Sequence, residues 1–170
     1  STGSYSLVYN SNFTNNLVEL NGGAIYWYGG SNSQYNTVDG CIFTNNTAHG
    51  NTSDSAITRG GGAIYWSENG RYCTVKNSKF YYNSVQSTID KKVDGGAILW
   101  DKSYHAMVDN CTFVGNFVTT KGDTSGTQAS DVWAQGGAMY LRPYCNYTVQ
   151  NCWFENCSSS KEAGALYIQS

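Results

Sequence analysis

Five times along this chain a valine is followed five residues later by a phenylalanine, and then by a Gly-Ala-apolar run. The pairs are Val8/Phe13, Val38/Phe43, Val75/Phe80, Val108/Phe113 and Val149/Phe154. The runs read GGAIYW from Gly22 and again from Gly61, GGAILW from Gly95, GGAMYL from Gly136 and AGALYI from Ala163. A unit that recurs at this length is a structural module stacked on copies of itself, so the repeat decides the fold. The module is not helical: paired glycines precede the apolar runs, and Asn, Ser and Gly fill the gaps between blocks. Short blocks of Tyr, Trp, Val and Phe bounded by turn residues read as strands. All five units run in one order, so equivalent strands stack in parallel. A turn of chain that closes in about 27 to 41 residues and then repeats is a parallel β-helix. The expected architecture is one all-β domain over residues 1–170, with coils near 5–31, 32–69, 70–102, 103–142 and 143–170.

Alternation along a strand assigns its faces. Ile25, Ile64, Ile98, Met139 and Leu166 form one inward column, and Trp27, Trp66, Trp100, Leu141 and Ile168 a second. The Val and Phe columns also point inward. Ala24, Ala63, Ala97, Ala138 and Ala165 are left outside, beside Tyr26, Tyr65, Leu99, Tyr140 and Tyr167. This outward column is a candidate surface stripe: rings about 4.8 Å apart could stack on sugar rings or receive a neighbouring molecule. Stabilisation alone also accounts for it, at roughly 0.2–1 kcal/mol per aromatic neighbour pair. A further run, Tyr5, Tyr35 and Tyr72, sits three residues before each Val and breaks in the fourth unit, where Tyr104 lies four before Val108.

Of 170 residues only 13% are charged, and the formal net charge is −2. Nothing basic invites nucleic acid, and no stretch is apolar enough to span a membrane. The chain starts without Met or a secretory signal, as a mature or excised chain would. Gly, Ser, Asn, Thr and Tyr dominate, as on a secreted β surface. Candidate glycosylation sequons stand at Asn12, Asn45, Asn51, Asn110, Asn146 and Asn156.

The units VDGCIFTNNTA…GGAIYW and VDNCTF resemble the adhesin-like surface proteins of methanogenic archaea. The pairing of GGAI with FxxN is also similar to the polymorphic outer-membrane proteins of chlamydiae. FxxN stands at Phe13–Asn16, Phe43–Asn46, Phe80–Asn83 and Phe113–Asn116, and the fifth unit departs from it with Cys157. The resemblance covers nearly the whole chain. It implies a right-handed parallel β-helix on an extracellular surface, and it is silent on ligand identity.

Coil spacing is uneven. From each strand Ala to the next Val the distance is 14, 12, 11 and 11 residues, whereas from each Phe to the strand Ala it is 11, 20, 17, 25 and 11. Insertions therefore collect at one corner, in Thr47–Gly60, Ser84–Asp94 and Phe117–Gln135. Such a corner either carries recognition or merely tolerates length. No cofactor, metal site or catalytic machinery is expected. The best carboxylate column, after each Val, is Tyr9, Asp39, Lys76, Asp109 and Gln150, and Lys76 between the acids makes it a surface ion ladder. His49 and His105 share no column. The third function considered, a polysaccharide-cleaving enzyme, would need clustered carboxylates around a groove or a Ca²⁺ site.

Cys41, Cys111 and Cys152 share an inward column with Ser11 and Ser78. Cys73 and Cys145 follow a Tyr, and Cys157 takes the Asn position. Cys111 with Cys152, Cys152 with Cys157, or free thiols all remain open. Strand blocks lie close to both ends of the sequence, without a polar cap. Open strand edges there predict head-to-tail stacking of copies, or a segment of a longer stalk. The leading expectation is an extracellular structural β-helix that assembles into a filament, sheath or coat. The alternative is an adhesin segment that binds glycans or another cell surface.

Overall fold

The computed structural model describes residues 5–28, 34–51, 60–67, 70–89, 92–121, 133–143 and 146–169. Their secondary structure is strand and turn, with every paired strand parallel and in register. The all-β right-handed parallel β-helix of about five coils expected above is what the chain forms. The Val sheet stacks Leu7–Tyr9, Thr37–Asp39, Thr74–Lys76, Ala106–Asp109 and Tyr147–Gln150. The Phe sheet stacks Asn12–Thr14, Ile42–Thr44, Lys79–Tyr81, Thr112–Val114 and Trp153–Glu155. The Gly-Ala sheet stacks Ile25–Trp27, Ile64–Trp66, Ile98–Trp100, Met139–Leu141 and Leu166–Ile168.

A further sheet joins Leu17–Val18, Thr47–Ala48, Ser84–Ser87, Phe117–Thr120 and Ser158–Ser159. The insertions therefore begin inside a regular face, and a small two-stranded sheet, Val93–Asp94 with Ala134–Gln135, follows two of them. Val18, Ala48, Val85 and Val118 line the inside of this face as a second apolar cluster.

The main core is a set of stacked columns. The phenylalanine rings lie 4.8, 4.8, 4.7 and 4.9 Å apart from coil to coil, and Phe43, Phe80 and Phe113 are fully buried. Trp27, Trp66 and Trp100 stack the same way at 4.8 and 4.6 Å. Phe80→Ala would remove the middle ring of a column packed on both sides, at a cost of about 3–5 kcal/mol. Urea unfolding of the variant measures it, and a loss under about 1 kcal/mol would contradict the packing.

One face assignment is corrected. Ala63, Ala97 and Ala138 are fully buried and belong to the core cluster, with Ala24 packed against it. The cause is a bend that breaks the two-residue alternation. The amides of Ala63 and Ile64 both donate to the carbonyl of Ala97, at 2.9 Å each, and the other coils repeat this. Two successive residues thus turn their side chains inward.

Between the Phe sheet and the next face runs an amide ladder, exposed at Asn16 and fully buried from Asn46 to Asn116. Asn16, Asn46, Asn83 and Asn116 follow one another, each side-chain Nδ2 donating to the Oδ1 of the next at 2.7, 2.9 and 3.0 Å. The backbone amide of Asn46 also donates to Asn83 Oδ1, and Asn83 Nδ2 donates to the Phe43 carbonyl. The FxxN spacing exists to place this amide one turn past the ring. At the fifth coil Cys157 Sγ takes the acceptor place, 3.9 Å from Asn116 Nδ2.

Candidate functional site

The outward column is not the open stripe its sequence suggests. Tyr65 is 5% exposed, Tyr140 and Leu99 0%, Tyr167 is half-buried, and only Tyr26, at 53%, is open. The reason lies in the flanking columns. The residue before each Gly-Ala motif forms the column Asn21, Gly60, Asp94, Gln135 and Glu162. The residue after each strand supplies Ser67, Asp101, Arg142 and Gln169, joined through backbone bonds from one coil to the next. Side chains from both columns close over the tyrosines. Lys92 Nζ lies 5.4 Å and the Arg142 guanidinium 5.9 Å from the Tyr140 ring centre, both within cation–π range.

This closure creates a cluster of charges. Arg142 reaches Asp94 at 3.7 Å with one terminal nitrogen and Asp101 at 3.6 Å with the other, and Lys92 lies 3.9 Å from Asp94. Tyr65 donates its hydroxyl to Asp101 at 3.4 Å. Gln135 donates to Glu162 at 2.6 Å. Both carboxylate oxygens of Asp94, one of Asp101, the Gln135 side-chain oxygen and Arg142 Nε are buried without a hydrogen-bond partner among the described residues. Burial pushes the Asp94 carboxyl from its ordinary 3.8 up to about 7, against the pull of Lys92 and Arg142. Burial lowers the Arg142 pKa, but Asp101 and Asp94 carry it net above its usual value. Burial and the Asp94 charge likewise raise the Tyr140 phenol.

The raised Asp94 carboxyl is a statement about stability. The folded chain holds this proton more tightly than the unfolded one. The contribution is complete below about pH 4 and is lost as pH rises through about 7, amounting to up to about 4 kcal/mol. Asp94→Asn, which has no proton to lose, should therefore unfold at higher urea than the wild type at pH 8 and lose that advantage by pH 4. Parallel pH profiles for the two chains would contradict this.

The exposed aromatic ladder is elsewhere. Tyr5, Tyr35, Tyr72 and His105 stack face to face at 5.1, 5.0 and 5.0 Å, and all four are exposed. His105 takes the place where the tyrosine run seemed to break. Tyr104 instead receives the Arg71 guanidinium 5.6 Å from its ring centre. Tyr35, Tyr72 and His105 hold positive φ, at 56°, 54° and 55°, where Gly or Asn would be less strained.

Asp39 pairs with Lys76 at 3.5 Å and accepts a hydrogen bond from Asn77, while Asp109 accepts one from Asn151. His49 lies 3.4 Å from Glu19, away from His105. Of the sequon asparagines, Asn12, Asn45, Asn110, Asn146 and Asn156 are exposed and Asn51 is half-buried. Cys41, Cys73 and Cys111 are buried free thiols, and Cys152 and Cys157 are half-buried free thiols. Cys145, and the insertion segments 52–59, 90–91 and 122–132, lie outside the described residues. No group of three or more His, Cys, Asp or Glu able to hold a metal ion occurs among the described residues.

The family model for the right handed beta helix region matches residues 1–170. No curated protein and no solved structure matches the chain.

Proposed function

We propose, for a chain that belongs to the right-handed β-helix family, an extracellular structural role: a surface rod whose coils continue in register onto further copies. The observation that carries this reading is the uniformity of the joint between coils. Val, Phe, Trp, Asn and Gly columns all stack on their equivalents without a shift in register. A coil of this repeat therefore offers the next coil the same apolar columns and the same open backbone groups, whichever molecule supplies it. A head-to-tail contact of that kind is heterologous and grows unless its rotation closes a ring.

The chemistry of the corner supports a non-catalytic reading. The Asp94 and Asp101 side chains are 1% and 4% exposed, and their charges are engaged with Arg142 and Lys92. A polysaccharide bond would have to displace those cations to reach either acid. Asp39 and Asp109, the acids of the carboxylate column, are tied into surface hydrogen bonds.

Leu166→Lys tests assembly. Leu166 packs against the core on one side and pairs with Met139. A lysine there places a charge on the stacking face while leaving four coils untouched. Sedimentation should show wild-type particles larger than one chain and the variant as single chains with unchanged circular dichroism. Identical particle sizes for the two would contradict assembly through this face.

The adhesin reading is second, and the exposed ladder Tyr5–Tyr35–Tyr72–His105 favours it. Three large residues in strained left-handed conformations keep their rings in line at the surface. Glycan binding by a chain that stays single would put this reading first. The likeness to methanogen and chlamydial surface proteins supports the extracellular setting of both, as do the exposed sequons.

A further inference from the structure

Five residues, Ser11, Cys41, Ser78, Cys111 and Cys152, occupy the corner between the Val and Phe sheets. The pairs Asp109↔Gln150 and Thr112↔Trp153 flank Cys111 and Cys152, so these two face each other in register in neighbouring coils. Parallel neighbours stand about 4.8 Å apart, inside the roughly 4.4–6.8 Å Cα separation that a disulfide spans. Ser78 separates Cys41 from Cys111, so no other cysteine of the column has a cysteine neighbour. Cys157 is placed at the far end of the Phe strand, against Asn116 and the Phe113 carbonyl.

The sulfurs share one orientation. Cys111 Sγ lies 3.3 Å from the Asp109 carbonyl and 3.7 Å from that of Val75. Cys152 Sγ lies 3.0 Å from the Gln150 carbonyl and 3.8 Å from that of Val108. The two thiols also contact one another. Hydrogen bonding between them, followed by burial, holds the proton on Cys111, and the same contact lowers the pKa of Cys152 below its ordinary value. Cys152 is half-buried while Cys111 is 2% exposed, so a reagent meets Cys152 first.

We propose that Cys111 and Cys152 are a redox pair that closes by exchange with a small-molecule disulfide and clips coil four to coil five. The Cys152 thiolate attacks one sulfur of the reagent RSSR, forming Cys152–S–SR and releasing RS⁻. The Cys111 sulfur then attacks Cys152 Sγ, forming the protein disulfide and expelling the second RS⁻. The Cys111 proton ends on a released thiolate. Overall, one dithiol and one RSSR give one protein disulfide and two RSH, the protein being oxidised and the reagent reduced. The clip closes a long loop, the case in which a cross-link constrains the unfolded chain most.

Oxidised glutathione is the probe, with thiol trapping, digestion and mass spectrometry of the folded chain as the readout. The wild type should yield a peptide cross-linked through Cys111 and Cys152, with two glutathiones released per chain. Cys111→Ser should stop at a glutathione adduct on Cys152, and Cys152→Ser should leave Cys111 unmodified. The first step should slow severalfold from pH 8 to pH 6, as the attacking thiolate is protonated. The oxidised wild type should also unfold at higher urea than the reduced form. A wild-type chain that keeps both thiols, accumulates the Cys152 adduct, or pairs Cys152 with Cys157 overturns the proposal.

Discussion

Gly96→Ala should prevent folding. A methyl group at Gly96 would fall on the carbonyl oxygen of Gly137 and within 2.6 Å of that of Phe117. Both are backbone atoms, and the surrounding backbone is fixed by coil-to-coil bonds such as Gly96 N–H to the Gly136 carbonyl at 3.0 Å. Neither atom can yield without opening the joint between coils, so the cost is about 5 kcal/mol or more, comparable to the whole stability of an ordinary domain. The same crowding recurs at Gly23, Gly62 and Gly137, the second glycines of the motif with another coil stacked on them, whereas Gly164 in coil five meets nothing nearer than the Cys157 carbonyl at 3.0 Å. The first glycine is a different case. It needs left-handed backbone, with φ 68° at Gly136, but coil five already carries Ala163 there at φ 53°. A methyl group at Gly136 would also fall on a backbone atom, the carbonyl oxygen of Met139 in its own coil, so Gly136→Ala should destabilise as well. Circular dichroism and urea unfolding measure both variants, and a stably folded Gly96→Ala chain would contradict the close approach of the coils.

Asn83→Ala should cost about 2–4 kcal/mol: a buried group left without a partner costs about 1–3 kcal/mol, while Asn46 Nδ2 keeps the Phe13 carbonyl and Asn116 Oδ1 keeps the residue 83 backbone amide. The backbone amide and the Nδ2 of Asn46 would both lose Asn83 Oδ1. The Phe43 carbonyl and Asn116 Oδ1 would each lose a donor. All of this lies where Asn46, Asn83 and Asn116 are fully buried. Urea midpoints measure the loss, and a change under about 1 kcal/mol would show that the ladder holds little.

The columns that share a residue type were readable in the sequence. Val, Phe, Ile/Met/Leu and Trp repeat with fixed offsets, and the structure stacks them in the register those offsets imply. What stayed hidden has no shared type. The face begun by Leu17, Thr47, Ser84, Phe117 and Ser158 mixes apolar and polar residues, so its period is invisible. The alanines turn inward because two successive amides share one carbonyl, a bend that strict alternation cannot express. The Tyr65–Tyr140 column is covered because Lys92, Asp94 and Arg142 converge from different coils. Asp94 sits just before a Gly-Ala motif and Asp101 just after a strand tryptophan. Those two positions were the signal, but the residues at equivalent places in other coils are unlike them. His105 continued the exposed ladder under a different name.

Small-angle X-ray scattering of the wild-type chain over a concentration series tests the central proposal, that identical joints let copies continue one rod. The cross-section should stay constant while the length grows in whole-molecule steps. A particle that keeps the 18.6 kDa mass of one chain at every concentration would contradict it.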